Sequence, residues 1–131
     1  MTQPELRTQF TRQQLVHYAG ASGDFNQIHF SDHFATKLGL DGVIAHGMLT
    51  MGRAIAPVVL WAGDPGAVVA YGVRFTKPVV VPDPGTATVT VTGRIGAIDT
   101  GAGTARVDLT AKGELGAVLG SAAITAIIEN R

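Results

Sequence analysis

The pattern of apolar and polar residues divides the chain into a helical first part and a strand-rich second part. From 11 to 61, apolar residues recur at three- and four-residue spacing between glycines. From 66 to 128, valine, threonine, alanine and glycine dominate, and apolar residues alternate along much of the sequence. The first spacing is typical of helices and the second of strands. The pattern therefore predicts an α+β domain in which a helix lies against an antiparallel sheet.

Two short helices are predicted at the start of the helical part. Thr11 and Gln14 have the spacing of a capping box, and the helix that they begin should end at Gly20–Gly23. The residues expected on its apolar face are Leu15, Val16, Tyr18 and Ala19. Ser31 can cap the second helix, which should end at Gly39. The residues expected to face inward there are Phe34, Ala35 and Leu38.

A third and longer helix is predicted over Gly47–Trp61. It is apolar on nearly all sides through Met48, Leu49, Met51, Ile55, Val58, Val59 and Leu60. A helix with this distribution is typically buried. Pro57 removes a backbone donor and should kink the helix or change its turn.

Four strands are predicted from the second part of the chain, over 69–75, 86–98, 104–112 and 117–128. Asp99–Gly103 has the composition of a turn that closes a hairpin between the second and third of them. The fourth is apolar on both faces, so we expect both of its faces to be covered.

Composition narrows the classes of function. The 131 residues fit one domain, and 46% hydrophobic against 15% charged residues indicates a folded globular chain. Ten basic and ten acidic residues cancel, which argues against nucleic acid or an anionic membrane as partner. The absence of cysteine excludes a disulfide framework and a thiol nucleophile. Because Met1–Thr11 has no apolar core and no charge-free run reaches the ~18 residues of a membrane span, a cytoplasmic protein is expected.

The densest group of reactive side chains lies in Ser22–His29. Asp24 and His29 stand five residues apart in a loop opened by a glycine, with the amide of Asn26 between them. A carboxylate and an imidazole together have the basicities that are needed to add water across an enoyl thioester, or to remove it. An Asp-x-Asn sequence is also a common turn device, so spacing alone leaves a structural role open.

A second candidate segment is Ala45–Met48, at the start of the long helix. A helix N-terminus offers free backbone N–H groups, so the N–H of Gly47 can bind the oxygen of a thioester carbonyl. The alternative is that Gly47 only lets the chain turn into the helix. His46 is expected to be structural.

The remaining polar candidates are weaker. His17 is expected at the surface, and His33 is expected to pair with Asp32 or with solvent, without a third ligand for a metal ion. Arg74 and Lys77 can contact an acidic carrier or a phosphate, or can simply be an exposed strand end.

A family resemblance adds to these observations. The run Tyr18–His29 resembles the hydratase-2 signature of the MaoC-like (R)-specific enoyl hydratases. Ala45–Met48 is similar to the oxyanion-hole segment of that family, and Val73–Val79 resembles the strand after its central helix. Within the family, Ile44–Gly52 and Trp61–Ala67 most resemble the B subunit of the (R)-3-hydroxyacyl-carrier-protein dehydratase of mycolic-acid-type fatty acid elongation.

The resemblance implies a single hot-dog domain over residues 1–131, in which an antiparallel sheet wraps around a central buried helix. It implies a hydro-lyase that interconverts (R)-3-hydroxyacyl and trans-2-enoyl thioesters of CoA or acyl carrier protein. It also implies a dimer, either of this chain with itself or with a related hot-dog subunit, and no metal or redox cofactor.

By the same resemblance, Asp24 and His29 are the catalytic pair, Asn26 and Ser22 support them, and the Gly47 N–H binds the thioester carbonyl. The chain also departs from the family pattern. Position 27 is Gln where the family usually has Pro, which can loosen the loop, and Ala21 replaces a larger aliphatic residue or Gly. The short segment before the first helix implies an abbreviated edge strand.

Two other functions remain open. Hot-dog thioesterases often place a carboxylate on or beside the central helix, but no Asp or Glu occurs from Gly47 to Gly63. A non-catalytic hot-dog subunit that binds acyl chains or stabilises a partner would be expected to lose the acid–base pair, whereas Asp24 and His29 are both present.

Overall fold

The computed structural model describes residues 5–114 and 116–129, with the backbone alone for 117–126, 128 and 129. The strands are β1 (Glu5–Phe10), β2 (Val68–Gly72), β3 (Ala87–Asp99), β4 (Thr104–Gly113) and β5 (Gly116–Glu129). The helices are α1 (Arg12–Ser22), α2 (Asp32–Lys37), α3 (Gly47–Ala54) and α4 (Ala56–Ala62). No helix among these residues is long and apolar enough to cross a bilayer.

The strands form one antiparallel sheet in the order β1-β3-β4-β5-β2. The apolar core is shared between the inner face of the sheet and α4, and its fully buried members include Val58, Val89, Val91, Val107 and Leu109. The predicted α+β architecture is confirmed. The predicted turn at Asp99–Gly103 is confirmed as well, because Asp99 pairs with Thr104 at the end of the β3–β4 hairpin. The expected covering of the last strand concerns side chains outside the described residues.

The capping predictions are confirmed. The Thr11 hydroxyl accepts from the Gln14 N–H at 3.2 Å and the Gln14 side chain accepts from the Thr11 N–H at 3.0 Å. Helix α1 continues through Gly20 and ends at Ser22, followed by the C-cap Gly23, whose φ of 78° suits glycine. Ser31 caps α2 by accepting from the Phe34 N–H at 3.1 Å.

The inner faces of the first two helices are narrower than predicted. Leu15, Ala19 and Ala35 are buried, whereas Val16 and Leu38 are 58% and 60% exposed. The expectation that Val16 and Leu38 face inward is wrong. Leu15 and Ala19, four residues apart, already occupy the stripe that faces the core, and Val16 lies about 100° away from Leu15 around the helix.

The predicted long helix is interrupted at Ile55, so α3 and α4 are separate helices. Pro57 lies at the start of α4, where its missing N–H leaves no intrahelical bond unmade, which agrees with the predicted change of turn. The expectation of burial on all sides is wrong for the single chain, because Met48 and Leu60 are 61% and 72% exposed. The side that faces the core buries Thr50, Ala54, Pro57 and Val58.

Strand β2 differs from expectation. The register of β2 against β5 shifts between Val68 and Ala70, so Val69 is half exposed and the strand ends at Gly72 instead of continuing to residue 75. A bulge of this kind places two consecutive residues on the same face and breaks simple alternation. The N-terminal segment forms β1, which pairs with β3 over all six of its residues, from Glu5 with Thr92 to Phe10 with Ala87.

Candidate active site

The loop between α1 and α2 is held by three successive side-chain caps. The Ser22 hydroxyl accepts from the Asp24 N–H at 3.1 Å, Asp24 Oδ1 accepts from the Asn26 N–H at 3.2 Å, and Asn26 Oδ1 accepts from the Ile28 N–H at 3.1 Å. Each polar side chain bonds the backbone two residues later, as Asp, Asn and Ser commonly do in turns. The loop closes in this way with Gln27, the first residue of a 3₁₀ turn, in the position where the family usually has proline.

The imidazole of His29 has a fixed orientation at the end of this loop. Its Nδ1 lies 2.8 Å from the carbonyl oxygen of Ile44, so Nδ1–H donates and Nε2 is the unprotonated nitrogen of the neutral ring. Nε2 lies 3.7 Å from Asp24 Oδ2. His29 is buried, whereas the Asp24 carboxylate is half exposed, so the pair meets at the boundary between the core and the solvent.

A second imidazole, that of His46, stacks on His29. The two ring centroids are 3.8 Å apart at an interplanar angle of 20°, and the Tyr18 ring contacts His46 edge-on at 4.7 Å. His46 Nε2 lies 3.2 Å from the carbonyl oxygen of Asp24. Burial lowers the pKa of His46 below its usual value, and His29 acts in the same direction, while the hydrogen bond to the Asp24 carbonyl opposes them.

His29 and Gly47 share one pocket of about 300 Å³. Gly47 is the first residue of α3, and within the described residues no acceptor takes its N–H. Most of the remaining wall is apolar, contributed by Ile28, Ile44, Ala45, Phe75, Pro78 and Val79. An apolar pocket with a few converging polar groups is typical of a small-molecule site.

The three-residue cluster of Asp24, His29 and His46 also bears on metal binding. Each offers a potential ligand atom, and these atoms lie within 4.8 Å of one another. An imidazole nitrogen binds a metal along a lone pair in the ring plane, at about 2.1 Å. The rings of His29 and His46 are nearly parallel, so their lone pairs do not converge on one ion. The arrangement fits proton transfer better, and we keep the prediction that the site uses no metal ion.

The structure brings most of the predicted site residues together. Ser22, Asp24, Asn26 and His29 lie on one loop, and Gly47 lies on the wall of the same pocket as His29. His46 was expected to be structural, and sequence gives little signal for its contact with a loop 22 residues away. Its position just before a helix that begins with glycine is the only indication.

The weaker candidates differ in their position relative to the pocket. Lys77 is exposed and lines the pocket, whereas Arg74 is exposed and is not among the lining residues. His17 is exposed, as predicted. His33 is exposed too, and Asp32 forms its ion pair with Arg12 at 2.7 Å instead of with His33.

The structure thus combines an antiparallel sheet packed against helices with an Asp–His pair whose imidazole lines an apolar pocket. The MaoC like domain matches residues 2–113, so the chain belongs to the MaoC-like family. A solved MaoC-like dehydratase is 38% identical with a TM-score of 0.92, covering 98% of this chain and 39% of the other. The expected hot-dog fold and family are thereby confirmed, while the likeness to a particular B subunit stays a prediction.

Curated relatives share part of the sequence. Over 79 residues, 60% of this chain, it is 39% identical to the (R)-specific enoyl-CoA hydratase of Rhodospirillum rubrum, of which 55% is aligned. It is equally identical over the same length to 3-hydroxyacyl-thioester dehydratase X of Mycobacterium tuberculosis, of which 27% is aligned. The aligned region thus spans about a quarter to about half the length of these relatives. Their activities and partners support proposals for this chain.

Proposed function

We propose that the chain is a hydro-lyase that interconverts (R)-3-hydroxyacyl and trans-2-enoyl thioesters. The observation that carries this proposal is the approach of Asp24 Oδ2 to within 3.7 Å of Nε2 of His29, the member of the pair that lines the pocket also holding Gly47. Hydration places the water oxygen on C3 of the enoyl group and a proton on C2. Both proton transfers need groups of this basicity beside the thioester.

The separation of the two catalytic groups supports a shared position for the attacking water. A water molecule about 2.8 Å from both Asp24 Oδ2 and His29 Nε2 completes a triangle with their 3.7 Å separation. His29 Nε2 can accept a proton from this water because its Nδ1–H is held by Ile44. Asp24 and His29 hold the water jointly, and their proton roles exchange between hydration and dehydration.

Gly47 is proposed to stabilise the negative charge that develops on the thioester oxygen. When water attacks C3, electron density moves to this oxygen, and an N–H at a helix N-terminus stabilises it. The N–H of Gly47 has no acceptor among the described residues, so it is available to the substrate.

The pocket lining fits an acyl thioester. Its walls are mainly apolar, as an acyl chain requires, and the ammonium of Lys77 can contact the phosphate of an acyl-CoA or acyl-carrier-protein arm. Such thioesters are intracellular substrates, so we place the reaction in the cytoplasm. The reaction requires no metal or redox cofactor.

A second hot-dog chain is proposed to complete the molecule, either another copy or a related subunit. Large apolar side chains lie exposed on the helices and beside the catalytic loop: Met48, Leu60, Phe25 and Phe30. Exposed apolar groups of this size commonly mark an interface. A copy of the same chain is the simpler assembly.

The test is hydration of trans-2-enoyl-CoA substrates of short and long chain, followed by loss of the conjugated enoyl absorbance. We expect wild type to turn over and Asp24→Asn and His29→Gln each to lose at least about 100-fold in kcat. His33→Gln, at an exposed site outside the pocket, serves as the matched control and should keep full activity.

The competing functions give different results. Wild type that is silent on every enoyl-CoA and every carrier-protein substrate, yet binds acyl chains or a partner subunit, would be a non-catalytic hot-dog subunit. Release of free thiol without hydration would indicate a thioesterase. Full activity in both Asp24→Asn and His29→Gln would show that the chemistry lies elsewhere.

A further inference from the structure

His46 is a buried polar residue for which the proposed chemistry has no direct use. It is 1% exposed, it forms the N-cap of α3, and its side chain makes no capping bond to that helix. Its Nε2 lies instead 3.2 Å from the backbone oxygen of Asp24. Its own carbonyl accepts from the N–H and the hydroxyl of Thr50 at 3.1 and 3.2 Å. His46 therefore joins the start of α3 to the loop that carries the catalytic carboxylate.

The hydrogen bonds of His46 define its tautomer. A carbonyl oxygen only accepts, so the bond to Asp24 requires a proton on Nε2. Nδ1 is buried and has no hydrogen-bond partner among the described residues. A proton on Nδ1 would place an unpaired charged donor in the core, which is far less favourable than an unpaired lone pair. His46 is therefore the neutral Nε2–H form.

We propose that His46 is a positioning residue that fixes the Asp24–His29 pair relative to the Gly47 N–H. Its side chain holds the Asp24 backbone, its ring face supports the His29 ring, and its backbone leads directly into Gly47. The three proposed catalytic groups come from two segments of chain. A hydrogen bond between these segments therefore sets the distances between the groups. This inference rests on the hydro-lyase function proposed above.

The neutral state of His46 also suits its neighbour. The titratable groups that contact the His46 ring are Asp24, His29 and Tyr18. Two imidazolium rings at 3.8 Å would repel each other, so at most one ring of the stacked pair carries a positive charge. His29 faces the Asp24 carboxylate, whereas no carboxylate among the described residues pairs with the buried Nδ1 of His46. A proton that His29 accepts from water is therefore not transferred to His46.

Two variants separate the hydrogen bond from the ring. His46→Gln keeps an N–H donor at about the reach of Nε2 but loses the ring, and His46→Phe keeps a ring but loses the donor. We expect His46→Phe to lose about 100-fold in kcat with KM nearly unchanged, since misplacement of a catalytic group by ~1 Å has this effect. His46→Gln should recover at least tenfold of that loss, and His17→Phe, at an exposed histidine on α1, should match wild type. A folded His46→Phe with wild-type kcat would overturn the proposal.

A spectroscopic measurement keeps the inference independent of turnover. Long-range ¹H–¹⁵N spectra of the wild-type imidazoles should show His46 as Nε2–H and His29 as Nδ1–H. An Nδ1–H tautomer at His46 would overturn the proposal even if both variants fail to fold. If wild type hydrates no thioester, the proposed function fails by itself. The positioning role then stands if the His29 resonances shift in His46→Phe and return in His46→Gln, and it falls if they shift in neither.

Discussion

At the residue scale, Gly47 is proposed to act through its backbone. It follows His46, whose ψ of 132° is the extended conformation that a residue before proline prefers. It is also the first residue of α3, the helix position that best tolerates proline. A Cβ at Gly47 would lie 3.1 Å from the Phe75 ring, which is half exposed and has room to move by a few tenths of an ångström. The N–H can therefore be removed with little disturbance of the helix.

Gly47→Pro should remove the proposed oxyanion donor while α3 persists. We expect kcat for enoyl-thioester hydration to fall by about 10²–10³-fold relative to Gly47→Ala, the usual effect of losing one such donor. Gly47→Ala is the matched control, because it brings the same contact with Phe75 and keeps the N–H. Circular dichroism and thermal melts check that both variants are folded. Equal kcat in the two variants would mean that Gly47 only lets the chain turn into α3.

The turn in the loop could be predicted from the sequence, because its polar side chains bond to nearby backbone. Asp24, Asn26 and Ser22 bond to backbone only two residues away, so their spacing already contains the turn. The partner of His29 is the Ile44 carbonyl, 15 residues away, and His46 meets Asp24 over 22 residues. Contacts of this range depend on how the helices pack on the sheet, which periodicity does not give.

At the element scale, Arg12 and Asp32 connect three parts of the fold. Arg12 begins α1 and Asp32 begins α2, and their side chains pair at 2.7 Å. Asp32 Oδ1 also accepts from the Val43 N–H at 3.0 Å, and Arg12 Nε donates to the Val81 carbonyl at 2.7 Å. Val43 and Val81 are themselves bonded to each other. The pair thus links both helices to the segment that leads to His46.

Asp32→Asn should lower stability in a pH-dependent way. The hydrogen bond from Arg12, and then the one from the Val43 N–H, hold the pKa of Asp32 below its ordinary 3.8. A carboxylate whose pKa is lowered by folding contributes its full stabilisation above its unfolded pKa. This stabilisation is lost as the pH falls through the folded pKa. Between about pH 5 and 8, we expect the melting temperature of Asp32→Asn to lie roughly 3 °C below that of wild type. The difference should be smaller at high salt, because the ion pair is partly exposed. The difference should shrink below pH 3.8.

The control for this prediction is Asp41→Asn. Asp41 is exposed and makes no hydrogen bond or ion pair among the described residues, so its loss should leave the melting temperature nearly unchanged. Thermal melts of the three proteins across pH and salt provide the measurement. A gap between wild type and Asp32→Asn that widens in acid would contradict the assigned role of the carboxylate.

Elements were predicted well where a local signal begins or ends them. The capping box at Thr11 and the cap at Ser31 were read from side chains that bond within the same turn. The break at Ile55 was signalled by Pro57, two residues later, although the apolar pattern continues across it. The bulge between Val68 and Ala70 has no such local signal, because it reflects how β2 pairs with β5.

At the scale of the whole molecule, one chain leaves part of its helical layer uncovered. The inner sides of α3 and α4 bury Thr50, Ala54 and Val58 against the sheet. The outer side carries Met48 and Leu60. The apolar pattern predicted that these residues are buried, but the single chain leaves them exposed. A sequence pattern reports burial in the assembled protein, so the mismatch itself supports the proposed second hot-dog chain.

Leu60→Glu should weaken the proposed assembly. Leu60 is 72% exposed on α4 and is not among the residues that line the pocket, so the change tests association and not the site. A carboxylate buried without a partner in an apolar interface should raise the dissociation constant at least about tenfold. Ile98→Glu, at a residue 64% exposed near the β3–β4 turn, is the matched control and should associate like wild type. Sedimentation over a concentration series measures all three. A wild type that is monomeric throughout would reject the dimer, whereas a wild-type dimer that survives Leu60→Glu would place its interface away from α4.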